Sequence, residues 1–338
     1  MTRKAELARF TTSSGIPIYR LPVEAFPNHY TNCYLVLADD RVILIDAASG
    51  WANANEHLLS LLAQVRQAYN ETVTVEDIDT LILTHGHIDH FGGALFLRER
   101  NPNLRLGIHA LDARILRNIE ERVIVTSKNL EIFLERAGLR PERVEQLSEM
   151  NKFSKDMFRS TKVDFLIDPD EKLLDLFQVY HTPGHCPGQV CLQLDDILFS
   201  ADHVLARITP LQSPEQITRH TGLDHFLESL AEVRRIPGIR LALGGHEAEI
   251  EDFYGRVDDI RRFHEDRLEK VLDLCREPAT IKDISRGLFS DLSGYNVLLA
   301  LLETGAHVEY LYERSYLRVT NVAQVERERN PTLLYQRL

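Results

Sequence analysis

Four side chains able to hold a metal ion fall within six residues of this 338-residue chain, in the run His85-Gly-His87-Ile-Asp89-His90. Neutral imidazole and carboxylate suit zinc and other borderline divalent ions. Four such groups so close together cannot all reach one tetrahedral ion that keeps a position open. The natural division puts His85 and His87 on one ion and Asp89 and His90 on a neighbour. Further candidates stand where apolar runs end: His185 in His181-Thr-Pro-Gly-His-Cys-Pro-Gly188, Asp202 in Phe199-Ser-Ala-Asp-His203, and His246 in Leu243-Gly-Gly-His-Glu247. A pair of divalent ions held this way would lower the pKa of a shared water to about 7 and so supply hydroxide at neutral pH. The chemistry to expect is hydrolysis at an acyl carbon or a phosphorus, with no serine or cysteine nucleophile.

Such a cluster needs elements to carry it. The apolar run Asp79–Thr84 reads as a buried strand that delivers the chain into the cluster, and Gly86, Gly92 and Gly93 allow the backbone to turn sharply there. Residues 33–38 and 41–46 read as a hairpin about Asp39-Asp40. Residues 51–69, 94–100 and 223–236 read as helices, and 104–109, 173–180, 190–199 and 239–243 as strands. From about 111 to 160 the pattern is helical and irregular. After 255 come helices near 256–276, 280–288 and 294–304 and then a β-rich segment, 306–320, which is the winged-helix order. The division expected is a catalytic domain over 1–255, with a helical insert at about 111–160, and a small winged-helix-like domain over 256–338.

Charge narrows the partners. The chain holds 39 basic and 51 acidic side chains, a net charge of −12, which opposes broad contact with a phosphate backbone. Residues 251–338 alone hold 13 basic and 16 acidic side chains, unlike a nucleic-acid reader. No apolar stretch is long enough for a membrane span, and no apolar segment follows the basic N-terminus as in a secretory signal. The four cysteines, without a Cys-x-x-Cys pair, fit free thiols in the cytoplasm. The expected partner is therefore a small molecule, not a nucleic acid or a membrane. The apolar face around Leu298, Leu299 and Leu302 calls for burial, in a homodimer or against the active site.

Taken in order, these motifs resemble the signature of the metallo-β-lactamase superfamily, over roughly residues 16–250. The resemblance implies a mixed α+β fold, a four-layer αβ/βα sandwich with the metals at one rim of its two sheets. It implies His85, His87 and His185 on one ion, Asp89, His90 and His246 on the other, and Asp202 bridging both. Asp46 matches the family's acid that orients a ligand imidazole. Ala201 and Glu247 depart from the pattern, standing where glycines often precede the bridging Asp and follow the last His. The C-terminal region resembles the winged-helix domain of certain superfamily members, with His264 at the His that opens their linking helix. The implied cofactor is two divalent ions, zinc ahead of iron or manganese. Asp89 and Asp202 would fix the metal separation and orient the hydroxide. The expected reaction is hydrolysis of a small-molecule thioester, ester or lactone; the alternative is a metal-dependent endoribonuclease or phosphodiesterase. Met150, Phe153, Met157 and Phe158 share a helical face of the insert and are expected to cap the site as an apolar wall, with Lys152, Lys155, Arg159 and Lys162 nearby.

Overall fold

The computed structural model describes residues 5–152, 159–169 and 171–338. A seven-stranded sheet takes its strands in chain order: β1 (Ala8–Thr11), β2 (Pro17–Phe26), β3 (His29–Ala38), β4 (Arg41–Ile45), β5 (Thr80–Ile82), β6 (Arg105–His109) and β7 (Phe165–Ile167). Its first pairings are antiparallel, and from β4 onward they are parallel. A four-stranded sheet has the order β11-β10-β9-β8, from β8 (Gln178–His181), β9 (Val190–Leu194), β10 (Ile197–Ala201) and β11 (Leu241–Gly244). The run 190–199, expected as one strand, is a hairpin that turns at Asp195, whose backbone is left-handed at φ 52°.

Period-two alternation makes the layers. Tyr34, Val36, Ile43, Ile45 and Ile82 of the large sheet face Val190, Leu192, Ile197, Phe199 and Leu243 of the small one. Their neighbours Cys33, Leu35, Leu44 and Leu81 turn the other way, toward helices α1 (Ala54–Tyr69), α3 (Ala94–Arg100) and α4 (Ala110–Arg117); α2 (Ile88–Phe91) is a single turn between β5 and α3. On the far side of the small sheet, Cys191, Leu198 and Ala242 pack under α7 (Leu223–Val233) and α8 (Phe253–Leu274). The result is the four-layer αβ/βα arrangement expected. Parallel strands that end at one rim bring their following loops together there, which is where a site belongs in such a sheet.

The remaining helices form a separate apolar unit. Insert helices α5 (Ile119–Arg136) and α6 (Pro141–Lys152) contribute Leu130, Phe133, Leu134, Val144 and Leu147. They share a cluster with Val271 and Leu272 of α8, Ile281 and Ile284 of α9 (Ile281–Leu288), and Leu298, Leu301 and Val308 of α10 (Asn296–Glu313). The chain ends in an antiparallel pair, β12 (Leu317–Val319) and β13 (Tyr335–Arg337), with α11 (Val322–Arg327) between them. The β-rich reading of 306–320 is corrected over its first half, because α10 runs to Glu313. Its buried Leu301, Val308 and Leu311 recur at helical spacing, and that packing outweighs the strand preference of Val308, Tyr310 and Tyr312. Of the face around Leu298, Leu299 and Leu302, Leu298 is buried in this cluster and Leu302 packs against it from a half-buried position. No helix among the described residues is long and apolar enough to cross a membrane.

Candidate metal centre

The rim gathers all seven residues expected as ligands. The turn after β5 carries His85 and His87, and α2 carries Asp89 and His90. His185 lies between β8 and β9, Asp202 follows β10, and His246 follows β11. The potential ligand atoms of His85, His87 and His185 lie within 4.8 Å of one another, and so do those of His85, His90 and Asp202. His85 Nε2 and His87 Nδ1 are 3.1 Å apart. A four-coordinate ion with bonds of about 2.0–2.1 Å sets neighbouring ligand atoms about 3.3 Å apart, and this hydrogen-bonded pair already stands close to that spacing. Asp202 stands between the groups. Its Oδ1 is 3.5 Å from His90 Nε2, and its Oδ2 is 3.7 Å from His185 Nε2 and 3.0 Å from His246 Nε2. Asp89 Oδ2 is 3.6 Å from His90 Nε2 and 3.5 Å from His246 Nε2.

Four of the rings are held from behind at Nδ1. His90 Nδ1 donates to Asp46 Oδ2 at 2.8 Å, His246 Nδ1 to the Tyr30 carbonyl at 2.6 Å, and His185 Nδ1 to the Leu211 carbonyl at 2.8 Å. The Thr84 hydroxyl donates to Asp46 and so accepts from His85 Nδ1, at 2.8 and 3.1 Å. These bonds at Nδ1 turn the Nε2 atoms of the four rings toward the centre. His90 Nε2, His185 Nε2 and Asp202 Oδ1 are buried without a hydrogen-bond partner, a costly state that a cation among them would relieve. Nitrogen and oxygen donors, their spacing and these orphaned atoms together fit divalent ions.

The two sides differ in charge. Burial, reinforced by the neighbouring imidazoles, pushes His85 and His185 down and His87 to about 3, so these three rings present neutral lone pairs. Burial also disfavours charge on His90 and His246, yet Asp202 and Asp89 outweigh it and raise both rings, with Asp46 adding to the effect on His90. Asp89 and Asp202 are themselves held low, against their burial, by His90 and His246. An ion entering this side would replace protons that the carboxylates now hold on the rings.

Backbone strain surrounds the centre. The departures at Ala201 and Glu247 fall at φ 46° and φ 63°, in the left-handed region where glycine costs least, which is why glycine suits both positions. Glu247 gives something back. Its Oε2 accepts from the backbone N–H groups of Arg207 and Ile208 at 2.8 and 3.2 Å, anchoring the loop that follows Asp202. The glycines after His90 serve close approach rather than a left-handed turn. Gly92 has φ −61°, and a Cβ there would stand 2.0 Å from the Ser49 carbonyl oxygen.

Sequence reasoning missed two residues. Asp112, on α4, is buried and kept above the usual carboxylate range by that burial; it accepts from Gly86 N at 2.8 Å, Gly188 N at 2.9 Å and Cys186 Sγ at 3.2 Å. It ties the loop of His85 to the loop of His185 and accounts for Cys186 as a packed thiol. His29 Nε2 meets Asp89 Oδ2 at 2.9 Å, and its ring lies 4.7 Å from that of His246. Beyond His29, Phe26 and Trp51 continue outward with ring separations of 6.3 and 6.0 Å, and Trp51 is 37% exposed. The partners of Asp112 lie 26 and 76 residues away and those of His29 60 and more, so no local pattern announces either. Of the stripe expected to cap the site, Phe153, Met157 and Phe158 lie outside the described residues, and Met150 is 39% exposed near the end of α6. The buried Val144 and Leu147 of that helix face the C-terminal helices.

Comparison with known proteins agrees with this geometry. A crystal structure of a metallo-beta-lactamase family protein from Thermus thermophilus superposes with a TM-score of 0.75 at 26% identity, covering 95% of this chain and 98% of that one. A beta-lactamase domain protein from Burkholderia ambifaria gives 0.73 at 21% identity, covering 100% and 97%. The shared architecture therefore extends over the insert and the C-terminal helices. Among curated proteins, an atrochrysone carboxyl ACP thioesterase from Aspergillus fumigatus is 24% identical over 259 residues. That match takes in 75% of this chain and 63% of the fungal protein, less than two thirds of its length. The family model described as the metallo-beta-lactamase superfamily matches residues 27–268, more than two thirds of the chain and every residue of the centre. The chain belongs to the metallo-beta-lactamase superfamily.

Proposed function

We propose that the protein is a hydrolase that works with two divalent ions on a small-molecule thioester, ester or lactone. The observation that carries this reading is the place of Asp202: one carboxylate between two sets of donors, with its Oδ1 and the Nε2 atoms of His90 and His185 unpartnered. In this reading His85, His87 and His185 hold one ion, Asp89, His90 and His246 hold the other, and Asp202 touches both. Zinc is the first expectation, although imidazole and carboxylate serve zinc, iron and manganese alike. The ions, when bound, would supply an activated water and a Lewis acid for the developing oxyanion.

The chain's own groups do the rest. Asp89 and Asp202 set the separation of the two donor sets, and His29 and Thr31 hold Asp89 in place from Oδ2 at 2.9 and 3.2 Å. Phe26 and Trp51 offer an apolar wall beyond His29, suited to the acyl or aryl part of a substrate. Among these substrates, a thioester draws support from the fungal relative, whose name makes it a thioesterase. The catalytic work falls to residues 1–255, with 256–338 in support.

The test is a parallel assay of acyl thioesters, lactones, phosphodiesters and RNA on protein loaded in turn with zinc, iron or manganese. Turnover of a thioester, ester or lactone that disappears on chelation and returns with metal supports the reading. Turnover confined to phosphodiesters or RNA would replace it with the nuclease alternative.

A further inference from the structure

The C-terminal helices reach the metal centre through one peptide bond. The Leu211 carbonyl accepts from His185 Nδ1 at 2.8 Å. The other half of that same peptide unit, the Gln212 N–H, donates to Glu303 Oε2 at 2.8 Å. Glu303 lies on α10 and is 5% exposed, and its Oε1 is paired with the Arg267 guanidinium of α8. A trans peptide unit is planar, with its C=O and N–H pointing in opposite directions. Its two ends therefore join His185 to a buried carboxylate with no other side chain between them.

The segment is seated for this purpose. Gly305 sits two residues after Glu303, and a Cβ there would stand 2.8 Å from Pro214 Cγ, so the strap after Gln212 lies directly on the helix backbone. Glu309, further along α10, accepts from Glu215 N and Gln216 N at 2.6 and 3.2 Å. The strap's earlier part is held by Glu247, as described above.

We propose that Glu303 is a positioning residue for His185, acting through the Leu211–Gln212 peptide to orient the ring and raise the basicity of its Nε2. An anionic acceptor on the N–H of an amide polarises the whole unit, so its carbonyl becomes a stronger acceptor. A stronger acceptor at Nδ1–H makes Nε2 a better donor to a metal, as a carboxylate does when it meets a ligand imidazole directly. The other rings of the centre have their own supports. Asp46 serves His90 directly and His85 through the Thr84 hydroxyl, and His246 has the Tyr30 carbonyl. Glu303 thus acts on one ring of the set, which gives the proposal its test.

The inference rests on the reading of His185 as a ligand, so the experiment carries a control for that reading. Full-length protein is titrated with Co2+ and with Zn2+ against a chromophoric chelator, as the native chain, Glu303→Gln and His185→Ala. The Gln variant keeps an oxygen to accept the Gln212 N–H, while its amide nitrogen cannot accept from Arg267, so the charge and the Arg267 pairing are removed together. Loss of affinity on the order of 10- to 100-fold is expected for one of the two ions, with the other unchanged. The Co2+ absorption spectrum should shift for the affected site alone, and the His185 Nδ1–H proton resonance should move upfield while that of His246 stays. A merely structural Glu303 would lower the melting temperature and leave both affinities and the His185 resonance where they were, and that result overturns the proposal. If His185→Ala also leaves both ions bound as before, the ligand assignment itself fails; if His185→Ala loses one ion and Glu303→Gln does not, only the relay is wrong.

Discussion

The protein holds two groups of buried imidazoles, one at the sheet rim and one among the C-terminal helices, and they are built to opposite ends. At the rim, His90 and His185 turn unpartnered Nε2 atoms toward Asp202, whose Oδ1 is likewise unpartnered. Among the helices, His264 Nδ1 donates to His307 Nε2 at 3.1 Å, and His307 Nδ1 donates to the Glu303 carbonyl at 2.7 Å. Arg267 and the Gln212 N–H occupy the Glu303 carboxylate. The atom left over is His264 Nε2, on a ring that packs against those of Phe226 and Phe263. The residue types are the same, histidine and acid at close range. What separates them is where the hydrogen bonds go. The helical group directs nearly all its donors and acceptors at itself and at the strap, whereas the rim group turns its outer nitrogens to supports and leaves His90 Nε2, His185 Nε2 and Asp202 Oδ1 without a hydrogen-bond partner. Several open donors converging at a strand rim read as a metal centre; a nearly closed network within a helical core reads as support.

The largest effect expected on this comparison comes from Asp202, whose carboxylate stands between both halves of the rim. Asp202→Ala should lower hydrolysis on the order of a thousand-fold, the equivalent of about 4 kcal/mol in the barrier, and should leave the chain folded by circular dichroism. Retention of most activity on the best substrate would deny the shared carboxylate its part in the reaction. On the helical side, Phe133 is wholly buried between α5 and its neighbours, and its ring lies where a Cβ at Gly305 would be. Phe133→Ala should cost about 3–5 kcal/mol of stability, read as a lower denaturant midpoint. A cost near zero would mean that the insert is not joined to the C-terminal helices as tightly as their shared cluster implies.

Asp46→Asn sharpens the contrast with Glu303. Asp46 accepts from His90 and Thr84, and through Thr84 it supports His85, so its loss touches a ring in each half of the rim. Affinity for both ions should weaken by about 10- to 100-fold, and chelator competition that shows only one ion affected would contradict that wiring.

The acidity of the buried rings gives the smallest effect. Burial, helped by His307 and Arg267, holds His264 near 2, and burial holds His203 near 3, while an unfolded imidazole titrates near 6.5. Between those values the unfolded chain binds protons that the folded chain does not, so stability is complete above about pH 6.5 and falls as the pH drops. Each such ring contributes at most about 1.4 kcal/mol per pH unit. His264→Gln should reduce the proton uptake on unfolding between pH 6 and 4 by about one. An unchanged slope in urea titrations across that range would mean that His264 is charged in the folded state.

The rim was legible in the sequence because its parts are local. His85, His87, Asp89 and His90 sit within six residues, and His185, Asp202 and His246 each follow a strand whose apolar run shows where it ends. Asp46 follows β4 in the same way. Asp112, His29 and Glu303 were not legible. An acid in the first turn of a helix, a histidine in a hairpin and a glutamate within an apolar helix are ordinary, and their partners lie 26 to 91 residues away. The insert shows the same limit. Its helical pattern could be read, but whether Val144 and Leu147 face the rim or the C-terminal helices depends on a surface that forms only when residues 253–313 fold against them.

The central claim is that the rim holds two ions rather than one, and equilibrium dialysis tests it most directly. Metal-free protein, confirmed to be folded, is dialysed against buffered Zn2+, Fe2+ or Mn2+ in excess, and the bound metal is counted by elemental analysis. Saturation at two ions per chain is the expected result, falling toward one in Asp202→Ala. Saturation of the native chain at one ion, with all three metals in excess, would contradict it.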